Sequence, residues 1–290
     1  MSLNYKILWI DDNPRTIKSK KSQVEEFLKE EGFRPEITLI ENSQDIVQYL
    51  NDPLLDLIVT DYYIHNQLDG KQLAEKIRGS EKLVEIILYS QKAGTDLYEE
   101  VGALDGVYIS NREDLEDKIK DVIKITIRRT QNVSNMRGIV ISEAIDIENQ
   151  IEEIIVSYFA EKGDVIKKAL KRDNFDFGKK VMLLGSIAKK LRVNLNKNQK
   201  GFEQIADLVT TLCKDVVWTR NVLSHVKHSI DENGQPILTS DIKSPDGDKT
   251  IMVNAEWYKE TRRKLSAHTE NLKAFMNFLA SGIVKQSNVS

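Results

Sequence analysis

Two mainly apolar runs in the N-terminal half of the sequence end in carboxylates. The run YKILWI leads into Asp11 and Asp12, and the run LLDLIVT leads into Asp61. Runs that lack a regular polar alternation are typical of strands buried on both faces of a parallel sheet. The carboxyl ends of such strands lie at one edge of the sheet, where open α/β folds bind their ligands. The three carboxylates are therefore predicted to meet at that edge.

Strand and helix patterns alternate regularly up to about residue 130. Strands are predicted at 5–10, 36–40, 56–60, 84–89 and 106–109, and helices at 14–31, 43–51, 70–79, 95–102 and 113–130. Five β/α units in this order predict an α/β domain with a doubly wound, parallel, five-stranded sheet.

The pattern becomes purely helical after the segment NVSNMRG. Helices are predicted at 139–161, 164–172, 177–192, 203–227 and 255–281, with a polar hairpin-like insert before the last one. Four substantial helices predict an all-α helical bundle. We expect domains at 1–130 and 139–290, joined by a linker at 131–138.

Length and composition agree with two domains. The 290 residues exceed what one core of ordinary size holds, and 30% of them are charged. We expect a cytoplasmic protein, because no apolar stretch is long enough to cross a bilayer and no secretory signal is visible. The single cysteine, Cys213, lies in an apolar run and is expected to be a buried, inert thiol.

Charge is divided unevenly between the two halves. Residues 1–130 contain 18 basic and 25 acidic residues, a net −7, and residues 131–290 contain 24 and 20, a net +4. A positive second half is compatible with a polyanionic partner such as RNA.

The first 130 residues resemble a response-regulator receiver domain, which has a flavodoxin-like fold. The resemblance implies that Asp11 and Asp12 hold Mg²⁺ and that Asp61 is the phosphoacceptor, with the carbonyl of Tyr63 as a further metal ligand. The chemistry of these residues agrees with these roles, since Mg²⁺ prefers hard oxygen ligands. A bound metal ion also relieves the repulsion among three carboxylates and offsets charge on a transferring phosphoryl group. An aspartate can then act as the nucleophile.

The resemblance extends to the residues that respond to the phosphoryl group. Ser90 matches the hydroxyl residue that contacts this group, and Tyr108 matches the aromatic residue that changes its packing. The sequence departs from the family at the lysine after the fifth strand, where Asn111 stands with Arg112 next to it. The link between phosphorylation and switching is then either weaker or routed through Arg112. The implied partner is a histidine kinase or a phosphotransfer protein.

A second motif, RNVLSH, lies near the end of the helix predicted at 203–227. Asn221 and His225 are four residues apart and share one face of the helix, while Arg220 lies about 100° away from Asn221. The motif and the surrounding helices resemble HEPN domains over roughly residues 139–281. Many members of that family are metal-independent endoribonucleases that act as dimers, and others bind nucleic acid or proteins.

The resemblance implies catalytic roles for Arg220, Asn221 and His225, no cofactor at this site, and a homodimer. His225 would exchange a proton with an RNA hydroxyl, because the pKa of histidine lies near neutrality. Arg220 would bind the phosphodiester, with Asn221 orienting the imidazole or the phosphate. A simpler interpretation is that these cations only complement the dipole at a helix C-terminus.

The leading interpretation is a two-component response regulator that controls a HEPN-like endoribonuclease. The alternative is a non-enzymatic adaptor whose helical domain binds a partner protein or nucleic acid. A transcription factor fits poorly, because no short helix-turn-helix with a basic recognition helix is visible. No membrane partner is expected.

Overall fold

The computed structural model describes residues 3–41, 46–64, 69–80, 83–91, 95–101, 104–130, 133–172, 175–194, 211–225, 227–230, 232, 236–239 and 250–280. The chain divides into two compact units, residues 3–132 and 133–290.

Unit 1 alternates strands and helices throughout. Its strands are β1 (Asn4–Ile10), β2 (Arg34–Ile40), β3 (Leu55–Asp61), β4 (Glu85–Ser90) and β5 (Val107–Asn111). Its helices are α1 (Pro14–Glu30), α2 (Ile46–Leu50), α3 (Gly70–Gly79), α4 (Thr95–Val101) and α5 (Leu115–Thr130). All five strands are parallel, in the order β2-β1-β3-β4-β5. This order is that of flavodoxin-like folds, as the sequence predicts.

Each face of the sheet carries its own apolar core. On one face the strand residues include Trp9, Val59 and Tyr89, which pack with residues of α1 and α5. On the other face they include Leu8, Ile58 and Leu88, which pack with residues of α2, α3 and α4. Alternation along each strand therefore sends neighbouring residues into different layers. Both faces are covered, which explains the nearly continuous apolar runs of the strands.

Unit 2 is mainly helical. Its helices are α6 (Val133–Phe159), α7 (Gly163–Leu170), α8 (Phe177–Asn194), α9 (Thr219–His225) and α10 (Ala255–Ala280). A 3₁₀ turn (Ala160–Lys162) joins α6 to α7, and a π-helical segment (Cys213–Trp218) leads directly into α9. The insert forms an antiparallel sheet of β6 (Lys227–Ile230), β7 (Pro236–Thr239) and β8 (Thr250–Met252). No described helix combines the length and the apolar character needed to cross a membrane.

Helix α6 is the central element of unit 2 and contacts α7, α8, α9 and α10. It begins at Val133, six residues before the predicted start, so most of the predicted linker 131–138 is helical. The side chains of Met136, Ile139 and Val140 are buried there. This packing outweighs the low helix propensity of the Asn and Gly residues in NVSNMRG. The arrangement as a helical bundle stays a prediction.

Two further predictions for unit 2 meet different outcomes. Cys213 is exposed, so the prediction of a buried thiol is wrong. The error arises because an apolar run does not show which face of the helix a residue occupies: Leu212 and Val216 are buried, whereas Cys213 lies on the exposed side. Residues 203–210, the first part of the helix predicted at 203–227, lie outside the described residues.

Candidate functional site

Three carboxylates converge at the carboxyl edge of the sheet in unit 1. Asp11 and Asp12 follow β1, and Asp61 is the last residue of β3. One carboxylate oxygen from each residue lies within 4.8 Å of the others. Asp11 and Asp61 are buried, whereas Asp12 is exposed. The structure thus brings together the three acidic residues on which the sequence prediction depends.

Asp61 is held by its own loop and by a cation. Its Oδ1 atom accepts a hydrogen bond from the backbone N–H of Tyr63 at 3.1 Å, and its Oδ2 atom pairs with the Arg112 guanidinium. Burial raises the pKa of the Asp61 carboxyl, and the nearby Asp11 adds to this effect. The Tyr63 N–H and Arg112 act in the opposite direction. The side chain of Tyr63 is 70% exposed, which leaves the backbone of this residue as the part that faces Asp61.

Tyr89 supports the acidic cluster from inside the sheet, a role that the sequence analysis missed. Its hydroxyl donates a hydrogen bond to Oδ2 of Asp11 and accepts one from Nε1 of Trp9 at 3.2 Å. Burial and the bond to Asp11 raise the pKa of the Tyr89 phenol, which therefore stays protonated as a donor. The backbone N–H of Asn13 donates to the other Asp11 oxygen at 2.7 Å. Asp11 is thus fixed through both oxygens.

The cation at this edge is Arg112, whereas the preceding residue, Asn111, is uncharged. Nη2 of Arg112 pairs with Oδ2 of Asp61 and lies 3.6 Å from Oδ2 of Asp11. Asn111 is exposed, and its Nδ2 atom donates to Oδ2 of Asp114 at 3.4 Å. Asn111 is the last residue of β5, and the backbone N–H of Arg112, the next residue, donates to the carbonyl oxygen of Ser90 at 2.8 Å. Arg112 therefore lies beside the acidic edge, and the routing of switching through this residue stays a prediction.

Ser90 and Tyr108 lie in different layers of unit 1. Ser90 is buried at the end of β4, and its Oγ atom has no hydrogen-bond partner among the described residues. By strand alternation it faces the same layer as Leu88. Tyr108 is partly buried against the opposite layer, with Trp9 and Tyr89. The structure therefore does not bring Tyr108 to Ser90, although both belong to neighbouring strands.

The donor set of this edge fits a divalent cation such as Mg²⁺. Oxygens bound to one Mg²⁺ ion at about 2.1 Å are about 3 to 4 Å apart in an octahedron. The three carboxylate oxygens, within 4.8 Å of one another, need only a small inward movement to reach this spacing. Hard, anionic oxygens are also the ligands that Mg²⁺ prefers.

The motif residues of unit 2 lie on α9. Arg220 and Asn221 are partly buried, and Nη1 of Arg220 donates to Oδ1 of Asn221 at 3.3 Å. His225 is exposed at the last position of the helix. The hydrogen bond holds Arg220 and Asn221 together, and the exposed imidazole of His225 is accessible to a ligand.

Unit 2 also contains a polar cluster, formed by His268, Asp215 and Lys264, that the sequence did not predict. Nε2 of His268, on α10, lies 3.2 Å from Oδ2 of Asp215, and Nζ of Lys264 lies 3.6 Å from Oδ1 of the same carboxylate. Burial lowers the pKa of His268, against the effect of Asp215. The only available signal was the place of His268 in the buried stripe with Leu265 and Leu272. The pair links α10 to the π-helical segment.

Comparisons with known proteins concern unit 1. No protein-family model and no curated protein matches the sequence. The receiver domain of a Francisella response regulator aligns with 44% of this chain and 99% of its own length, at 21% identity and a TM-score of 0.37. A response-regulator receiver domain from Clostridium thermocellum aligns with 43% and 95%, at 18% identity and a TM-score of 0.35.

The signal receiver domain of an HD domain-containing protein from Pseudomonas fluorescens aligns with 43% of this chain and 96% of its own, at 13% identity and a TM-score of 0.35. At these scores the fold assignment rests on the strand order of the chain itself. That order, β2-β1-β3-β4-β5 with all strands parallel, is flavodoxin-like.

Proposed function

We propose that unit 1 is a receiver domain that accepts a phosphoryl group on Asp61 from a histidine kinase or a phosphotransfer protein. The observation that carries this proposal is the convergence of Asp61 with Asp11, Asp12 and the Arg112 guanidinium at one edge of the sheet. A carboxylate nucleophile beside metal-binding acids and a fixed cation is the arrangement that phosphoryl transfer needs.

Asp11, Asp12, Asp61 and the carbonyl of Tyr63 would hold Mg²⁺, which supplies positive charge to the phosphoryl oxygens when bound. An oxygen of Asp61 attacks phosphorus and the bond to the donor breaks, so that the protein gains an acyl phosphate. The Arg112 fork would bind the phosphoryl oxygens. The Ser90 hydroxyl, buried and without a partner in the described part of the chain, would donate to one of them.

Incubation of the full chain with phosphoramidate and Mg²⁺ tests this proposal. Intact-protein mass spectrometry should detect one added phosphoryl group that hydroxylamine removes, as expected for an acyl phosphate. Asp61→Asn should abolish the addition, and Asp121→Asn, a change at an exposed position of α5, should not. A wild-type protein that stays unmodified, or a phosphoryl group that persists in Asp61→Asn, contradicts the proposal.

For unit 2 we propose a HEPN-like endoribonuclease, regulated by unit 1 and active as a homodimer. His225 would take the proton of an RNA 2′-hydroxyl, the freed oxygen would attack phosphorus, and the bond to the 5′-oxygen would break. The products would be a 2′,3′-cyclic phosphate and a 5′-hydroxyl that receives a proton. Arg220, held to Asn221, would neutralise the charge on the phosphate. The exposure of His225 supports this proposal.

An RNA cleavage assay in EDTA and in Mg²⁺, with and without phosphoramidate, tests the enzymatic proposal. His225→Ala and Arg220→Ala should abolish cleavage, and Ser224→Ala, an exposed neighbour on the same helix, should retain it. The alternative is an adaptor, in which unit 2 binds a partner protein or nucleic acid without cleavage. Absence of cleavage in every state, or equal cleavage by His225→Ala, would favour the adaptor.

A further inference from the structure

Arg112 contacts two of the three carboxylates that the proposed metal site requires. Its Nη2 atom pairs with Oδ2 of Asp61 and lies 3.6 Å from Oδ2 of Asp11. A guanidinium is charged at every relevant pH, so a change of pH does not remove its positive charge from the site. Part of the positive charge that a divalent ion would supply is thus already provided by the chain.

The backbone of Arg112 is held by β4, and its guanidinium lies near Tyr89 of the same strand. The backbone N–H of Arg112 donates to the carbonyl oxygen of Ser90 at 2.8 Å, and its guanidinium carbon lies 5.4 Å from the centre of the Tyr89 ring. That ring is completely buried, and its hydroxyl is bonded to Trp9 and Asp11. The guanidinium therefore lies over a buried aromatic ring, at a distance where a cation is attracted to the aromatic face.

We propose that Arg112 is an internal competitor of the divalent cation and that metal binding displaces its guanidinium from Asp61. This inference rests on the proposed function of unit 1. A metal ion on Asp61 and Asp11 would repel the guanidinium from the same two carboxylates. The Arg112 side chain is 27% exposed, so it has a path away from them without unfolding of the unit.

Once Asp61 carries a phosphoryl group, the displaced guanidinium no longer competes with the metal and becomes a ligand of the phosphoryl oxygens. The phosphoryl group brings new oxygens to the site, and the planar fork of arginine matches them. Loss of Arg112 should therefore strengthen the binding of the metal alone and weaken the binding of a phosphoryl mimic. Opposite effects of one substitution would not arise from a merely structural role.

Mn²⁺ binding to the full chain, measured from the electron paramagnetic resonance signal of the free ion, tests the first effect. Arg112→Ala and Arg112→Gln should each bind Mn²⁺ about tenfold more tightly than the wild type, because a unit charge near the ion is removed. Lys124→Ala removes the same charge from an exposed position of α5 and should leave the affinity unchanged. Beryllofluoride binding at saturating Mn²⁺ should be about tenfold weaker in both Arg112 variants.

Equal or weaker Mn²⁺ binding by both Arg112 variants would overturn the inference. If the wild type binds Mn²⁺ and Asp61→Asn does not, that result would leave the proposed function standing. Absence of Mn²⁺ binding in the wild type and in both variants would instead remove the metal site itself, and the proposed function with it. A wild type that binds no Mn²⁺ beside variants that do would show that the metal does not displace the guanidinium, which would also overturn the inference.

Discussion

Tyr89 donates its hydroxyl hydrogen bond to Asp11 across the intervening strand β3. The two residues lie on β4 and directly after β1, and the same hydroxyl accepts a hydrogen bond from Trp9. A hydrogen bond to a buried carboxylate is charge-assisted and about twice as strong as one between neutral groups. Tyr89 therefore links the apolar core of unit 1 to its acidic edge.

Tyr89→Phe should lower the free energy of unfolding of unit 1 by about 1.5–3 kcal/mol, because a buried charge loses its donor. Tyr5→Phe is the matched control. Tyr5 belongs to the same core, but its hydroxyl bonds at 2.6 Å to the neutral hydroxyl of Thr126. Its loss should cost about 0.5–1.5 kcal/mol. Urea unfolding followed by tryptophan fluorescence measures both, and equal costs would show that the charge of Asp11 adds nothing.

The acidic edge was predictable from the sequence, whereas its support was not. A strand that ends in a carboxylate is visible in the pattern of apolar residues, and parallel strands bring such ends together. The pattern also assigns Tyr89 to a layer, but it does not show that the tyrosine hydroxyl spans the distance from β4 to Asp11. That contact depends on the register between β3 and β4, in which Asp61 pairs with Tyr89.

The contacts of Arg112 and the start of α6 also could not be predicted from the local sequence. Spacing alone favoured Asn111 for the place of the family lysine, and only the path of the chain after β5 shows which side chain turns toward Asp61. The change of pattern after NVSNMRG predicted a linker before residue 139, whereas the helix begins at Val133 and buries Met136. In both cases tertiary contacts outweigh the local signal.

Magnesium should stabilise unit 1 through the three carboxylates. A ligand that binds only the folded state at about 100 times its dissociation constant adds about 2.7 kcal/mol. Asp12→Asn should remove most of this gain without damaging the fold, since Asp12 is exposed. Thermal unfolding with and without Mg²⁺ measures the effect, and Asp121→Asn should keep it. If Mg²⁺ does not change the melting temperature of the wild type, the prediction is wrong.

Asp56 should make unit 1 less stable as the pH rises from about 4 to 6. Burial is the largest cause that raises the pKa of Asp56 from 3.8 to about 6, although its Oδ2 atom accepts the backbone N–H of Lys6. Over this window the folded state binds more protons than the unfolded state, so stability falls as the pH increases. Asp56→Asn should therefore gain about 2–3 kcal/mol relative to the wild type between pH 4 and pH 7.

Urea unfolding at a series of pH values measures this difference. Asp121→Asn is the control, because the side chain of Asp121 is 65% exposed and pairs on the surface with Lys124. An Asp56→Asn curve that runs parallel to the wild-type curve from pH 4 to pH 7 would show that Asp56 titrates normally.

Lys180 should be a principal polar contributor to the stability of unit 2. Its Nζ atom lies 2.5 Å from Oε1 of Glu148 and 2.6 Å from Oε1 of Glu152, so one buried cation on α8 joins two carboxylates on α6. Burial acts to lower the pKa of Lys180, but the two carboxylates raise it, and the side chain stays charged. Lys180→Met keeps the apolar stem and leaves two like charges four residues apart on α6.

The expected cost of Lys180→Met is about 1–3 kcal/mol in the free energy of unfolding, since both carboxylates lose their counterion. Lys179→Met is the matched control, because Lys179 is 52% exposed and its pair with Asp176 is 3.6 Å long. An exposed pair of this kind is worth at most about 1 kcal/mol. Adding Glu148→Gln and Glu152→Gln to Lys180→Met should recover part of the loss, because neutral amides need no counterion. If Lys180→Met costs no more than Lys179→Met, the attachment of α8 to α6 depends on apolar packing alone.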